Sequence, residues 1–300
     1  MDFSIENKID LDNNLDKHLK TRKLKNTIFH LLLLLTIAFS IIMLALLLLQ
    51  VLSTGLKYLD WDFITSMPSR FPEKAGILSA LVGSIWTIGL TALIALPLGV
   101  GTAIYLEEYI NKKTLFNKIL LINISNLSGV PSIVYGMLGL AVFVRLFEFE
   151  RSILSGALTM ALLILPTIIV SSQEAIKSVP NSLKEGSYAL GMTKWQTITG
   201  VVLPYSLPGI LTGSILAISR AMGEAAPLIM VGAAGFIGFL PDGPMDSFTV
   251  LPIQIYNWTS RPQAEFQNIA AAGIIVLMLL LLSANAVAII LRNKYQNRMD

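Results

Sequence analysis

Of the 300 residues, 54% are hydrophobic and only 14% are charged, against roughly 25% charged in an ordinary soluble domain. The apolar residues gather into charge-free runs, which excludes a soluble globular domain and reads as an integral membrane protein. A net charge of +3, an absence of cysteine and two histidines, His18 and His30, argue against nucleic acid as a partner, disulfides, thiolate chemistry and a metal cluster.

In chain order, residues 1–26 are expected to be a cytoplasmic tail, of which 1–20 mix acids and bases with little apolar periodicity and read as disordered or frayed. Six apolar runs follow, at 27–52, 76–106, 119–144, 152–173, 200–235 and 266–291, each longer than the ~20 residues a helix needs to cross the hydrocarbon of a bilayer. The first is far longer than the apolar core of a signal peptide and reads as an uncleaved anchor facing lipid. Residues 76–291 form the main membrane domain, and 292–300 a short basic tail.

Lysine and arginine near the span ends predict the orientation. Lys17, Lys20, Arg22, Lys23 and Lys25 precede the first span and place the amino terminus in the cytoplasm. An even number of spans returns Arg292, Lys294 and Arg298 to that side, together with the loops carrying Lys112, Lys113 and Lys118 and then Lys177, Lys184 and Lys194. The longest outside loop is 236–265.

The cytoplasmic segment 182–204 holds two capping-box patterns, Ser182 to Glu185 and Thr193 to Gln196, with Gly191 between them. These predict a short helix over 183–190, a bend at a left-handed residue, and a second helix entering the membrane. Gly186 and Ser187 remove bulk from one turn, while Leu183, Tyr188 and Leu190 leave apolar surface for a partner. An interfacial loop with a small amphipathic helix is the plainer alternative.

The residues themselves resemble the EAA loop of binding-protein-dependent ABC importers: Glu185-Gly186-Ser187, three residues, Gly191, nine residues, then Val201-Val202-Leu203-Pro204. Gly186, Ser187 and Val201 depart from that pattern conservatively. The resemblance implies that Glu185, Gly186, Ser187, Gly191, Leu203 and Pro204 belong to a loop that docks on a separate ATPase. This chain has no glycine-rich phosphate loop of its own.

Span 5 carries Arg220 and Glu224 ahead of Pro227. Each charge costs ~2.5–3.5 kcal/mol at a span centre and suggests function. Their i,i+4 spacing lets them neutralise one another on one helical face, and Pro227 leaves the Gly223 carbonyl without a donor. The arginine fork suits an oxyanion; an ion pair that only joins helices is the alternative. In span 3, Ser128-Gly129-Val130-Pro131-Ser132 breaks the helix with polar groups, against protein or a water-filled path. A kinked packing helix is the alternative there.

Over residues 75–292 the motifs Gly129-Val130-Pro131-Ser132-Ile133-Val134-Tyr135-Gly136 and Arg220-Ala221-Met222-Gly223-Glu224-Ala225-Ala226-Pro227 resemble the permease subunits of bacterial phosphate ABC importers, in the PstA-type branch more than the PstC-type. The resemblance implies an all-α integral membrane protein with six transmembrane helices and a type I ABC importer permease (MetI-like) core. It implies a substrate pathway near Arg220, Glu224, Ser128 and Ser132, and no catalytic residue and no metal in this chain. It also implies a PstC-like second permease, a PstB-like ATPase dimer holding ATP and Mg²⁺, a PstS-like phosphate-binding protein and a bacterial cytoplasmic-membrane location. Another oxyanion such as molybdate or sulfate is the nearest competing cargo. An ion-coupled secondary transporter is the competing class, though no internal repeat supports it.

Overall fold

The computed structural model describes residues 3–110, 114–233 and 235–296. Lys112, Lys113 and Arg298, used above for orientation, lie outside them, as do the last four residues of the basic tail. The chain forms two units, Met1–Ser53 and Thr54–Asp300.

The first unit belongs to one helix, α1 (Phe3–Gly55). It corrects the disordered or frayed tail expected over 1–20, since the described residues there, 3–20, are helical. No glycine or proline occurs between Phe3 and Thr54, so nothing in the chain interrupts a helix that the leucine-rich stretch already favours.

The second unit opens with α2 (Trp61–Thr65), capped by Asp60, whose carboxylate accepts the Phe63 N–H at 2.7 Å. There follow α3 (Leu78–Ile104), which widens into a π turn at Tyr105–Tyr109, α4 (Leu115–Leu127) and α5 (Ser132–Gly139), which widens at Leu140–Leu146. Next come α6 (Ile153–Lys177), α7 (Asn181–Ala189) and α8 (Lys194–Thr197), then a π turn at Ile198–Val202 leading into α9 (Leu203–Gly223). The chain closes with α10 (Ala226–Val231), α11 (Leu251–Thr259) and α12 (Ala264–Gln296).

Among the described residues five helical segments are long and apolar enough to cross a membrane, and six if the bent pair α4–α5 is one span. That pair turns through 103° at Gly129–Pro131, so the break expected within the third span, 119–144, is present and is a sharp turn rather than a kink. Pro131 has no N–H for the ladder, and the Tyr135 hydroxyl bridges the break by donating to the Leu127 carbonyl at 2.8 Å.

Helix α6 lies at the centre, with Ile153, Met160, Ile164 and Ile168 buried against α3, α9, α10 and the 248–253 stretch. The Gly209 and Gly213 pair of α9 faces it: a Cβ at these positions would come within 2.8 Å of the Ala175 Cβ and 2.2 Å of the Ser171 Oγ. Small residues allow this approach, the usual basis of helix packing in lipid.

The loop expected over 236–265 is more than a connection, because it contains α11 and part of a second core. Phe248, Leu251 and Trp258 are fully buried, and Trp258 lies 5.9 Å from Phe63, ring to ring. The loop also completes other elements. The Ile153 and Leu154 amides at the start of α6 donate to the Asp246 and Pro244 carbonyls at 3.0 and 2.8 Å, and the Leu251 amide donates to the Ser84 hydroxyl at 2.8 Å. Helix amides left unpaired by the ladder are thus satisfied inside the protein.

Candidate functional site

Helix α9 ends at Gly223, and Glu224 takes an extended backbone as its cap (φ −84°, ψ 119°). Span 5 therefore stops well short of the 235 expected, and Pro227 sits in the first turn of α10 rather than inside a loosened helix. A glycine, a poor helix former, is followed four residues later by a proline that cannot donate to its carbonyl, and in the first turn of the next helix that missing donor costs nothing. Arg220 and Glu224 still meet, Nε to Oε1 at 3.5 Å.

The two partners face different surroundings. The Arg220 side chain is 58% exposed and Glu224 23%. Glu224 lines a cavity of about 10 Å³ with Ser84, Thr87, Met160 and Leu280, room for roughly one water. The guanidinium stands on an open face of the chain, where a neighbouring subunit or a pathway can reach it.

The span-3 motif is packed onto the same region. A Cβ on Gly136 would lie 2.7 Å from the Pro227 Cα, so α5 rests against the helix that begins beside Glu224. Ser132 is the first residue of α5 and half-buried. Ser128 is exposed at the end of α4, and its hydroxyl donates to the Ser125 carbonyl at 2.7 Å.

The segment expected on the cytoplasmic side, 182–204, folds as a bent helix pair. The first capping box does not form: Pro180 occupies the cap and α7 begins at Asn181, so Ser182 is already helical and is not the residue that caps. The second box is present, Thr193 and Gln196 reciprocally bonded. At the bend Gly191 has φ +80°. Its amide donates to the Tyr188 carbonyl at 2.9 Å, and the Met192 amide to the Ser187 carbonyl at 3.1 Å, the paired closure of a left-handed helix end.

Ser187 is buried because its hydroxyl meets that of Thr197 at 2.9 Å, locking α7 onto α8. Glu185 and Gly186 face outward, and a Cβ on Gly186 would meet nothing. Leu190 and Trp195 stand 85% and 62% exposed. Leu203 and Pro204 begin α9, where the π turn accommodates the N–H that Pro204 lacks.

Two further features were not drawn from the sequence. Ser219, next to Arg220, contacts the Asn285 carboxamide oxygen across to α12; an asparagine among the leucines of the last span was its only signal. At the end of α3, Glu108 accepts the Lys184 ammonium at 2.5 Å, its carbonyl accepts Lys194, and Lys194 lies 4.5 Å over the Tyr109 ring. The loops after α3 and after α6 therefore meet on one face of the membrane domain.

Residues 95–297 match the model of the family described as binding-protein-dependent transport system inner membrane component. The chain belongs to that family. It is thus a membrane-embedded transport component of the ABC importer class rather than a catalytic one. The probable ABC transporter permease protein YqgI of Bacillus subtilis is 35% identical, over 79% of this chain and 85% of its own length. The phosphate transport system permease protein PstA of Yersinia pestis is 34% identical over 89% of this chain and 90% of its own. The protein of the same name from Pasteurella multocida is 32% identical over 90% and 95%.

Among solved structures, a chain of a bacterial alginate ABC transporter superposes with a TM-score of 0.64 at 17% identity, covering 88% of this chain and 93% of that one. A chain of the MetNI methionine ABC transporter gives 0.53 at 16%, covering 73% and 94%. At such identities the likeness is one of fold, the type I ABC importer permease core expected from the motifs. Family membership sets aside the secondary-transporter alternative.

Proposed function

We propose that the chain is one half of the transmembrane pathway through which an ATP-driven importer takes up inorganic phosphate. The observation that carries the cargo is the likeness to phosphate transport system permeases over about nine-tenths of the chain. The exposed Arg220 beside Glu224 supports it chemically, since a guanidinium fork binds an oxyanion in two places and a carboxylate holds the fork between passages. An open-faced arginine also suits a pathway shared with a second permease of PstC type.

In this reading α7 and α8 face the cytoplasm, as do both termini, and Leu190 and Trp195 seat in a PstB-like ATPase dimer that holds ATP and Mg²⁺. A PstS-like binding protein delivers phosphate from outside. Closure of the ATPases draws the bent pair inward and opens the Arg220 region alternately to the two sides. Ser128 and Ser132 flank the broken third span, whose exposed backbone ends suit a wet path.

The test is ATP-dependent phosphate uptake by the reconstituted importer. Arg220→Ala is expected to lower uptake by about tenfold or more, the scale of a lost charge-assisted contact, and Arg220→Lys to recover little because it lacks the fork. Uptake at the wild-type rate in Arg220→Ala ends the pathway assignment.

A further inference from the structure

Glu108 joins three things that lie far apart in the chain. It sits in the last turn of the second span, its carboxylate holds Lys184 of α7, and its own carbonyl holds Lys194 of α8. Lys194 is held a second time, by the face of the Tyr109 ring. Both helices of the cytoplasmic pair therefore hang on one point at the end of α3.

The physics favours that point. The end of a long helix leaves carbonyls without amide partners and carries the negative pole of its dipole. A carboxylate placed there adds to the field, and two lysines answer it. The Glu108–Lys184 pair is also well covered, with side chains only 9% and 18% exposed. A covered ion pair resists separation, since parting it leaves a charge poorly solvated; an exposed one gives little. The chain itself joins the bent pair to α6 through Ser178–Pro180 and to α9 through the π turn, so the clasp adds a side-chain tether to a third helix, α3.

We propose that Glu108 is the positioning residue through which movement of α7 and α8 enters the second span, with Lys184 and Lys194 as its two arms. The clasp stays closed through the transport cycle, so that α7, α8 and the cytoplasmic end of α3 travel as one body. Without it the bent pair pulls on α6 and α9, between which it is strung, while the cytoplasmic end of α3 lags, so that ATP is spent with less transport. This rests on the reading of α7 and α8 as the ATPase-docking segment.

The test uses the full importer in proteoliposomes, scored as phosphate taken up per ATP hydrolysed, with ATPase co-purification and detergent melting measured on each variant. Glu108→Gln and Lys184→Met are expected to keep the bound ATPase, to lower the melt because each leaves one covered partner unpaired, and to lower the ratio severalfold. Glu108→Gln combined with Lys184→Met, which leaves no lone charge, is expected to recover the melt but not the ratio. Lys184→Arg is expected to restore it. The chain has no cysteine, so Glu108→Cys with Lys184→Cys can be bridged by a short reducible thiol cross-linker. The unbridged pair is expected to show the low ratio, bridging to raise it severalfold, and reductant to lower it again. A wild-type ratio in Glu108→Gln, or a bridge that stops transport, overturns the proposal. Should the unmodified chain fail to retain the ATPase, the docking reading fails first, independently of the clasp.

Discussion

Two segments between spans, 181–197 and 246–259, each carry large apolar side chains and a tryptophan, yet the fold treats those side chains oppositely. The first keeps Leu183, Tyr188, Leu190 and Trp195 on the outside and buries a serine and a threonine. The second turns Phe248, Leu251 and Trp258 inward and leaves Tyr256 and Thr259 out. Apolar residues held outward on a well-capped, rigid bend describe a docking surface. The same residues turned inward describe a plug that completes the membrane core. The first segment is the more charged, with Lys184, Glu185 and Lys194 against Asp246 alone, so composition leans the same way, but it does not say which apolar side chains turn inward.

The contrast can be broken at its strongest point. Trp258→Ala is expected to lower stability by about 3–5 kcal/mol, as for other large aromatics removed from cores, and a wild-type thermal melt in detergent would show that α11 is no core element. Gly191→Ala is a milder probe. There is open space at that position, so the cost is the left-handed backbone alone, about 1–2 kcal/mol, and it should appear both in the melt and in loss of ATPase retention. Trp195→Ala is expected to change stability by no more than about 0.5 kcal/mol, as exposed substitutions do, while weakening co-purification of the ATPase. If it lowers the melt as Trp258→Ala does, the two segments are not opposites.

The bent pair α7–α8 was largely legible because its signals are local. A capping box needs only four residues, and a left-handed bend needs only Gly191. The same locality explains the one misjudged start: Ser182 looks like a cap until Pro180, with its fixed φ, takes that place two residues earlier. In span 3 the proline announced a break, but the 103° turn depends on α5 finding α10, through a glycine that lets Pro227 approach.

The stretch Phe248 to Trp258 lies within the loop expected over 236–265. Its burial depends on Phe63, Ser84 and α12, which are distant in sequence. For Arg220 and Glu224 the spacing foretold the contact, though not that one partner would be largely covered and the other open.

By itself the sequence determined the solvent, the helices, the bend at Gly191 and the family, since each is written in composition or in residues a few positions apart. Which apolar segment turns inward, where span 5 breaks off to meet α5, and that Glu108 should hold Lys184 across 76 positions were decided only in the tertiary structure. Burial and long-range ion pairing depend on which surfaces the packed helices leave open, and no local pattern records that.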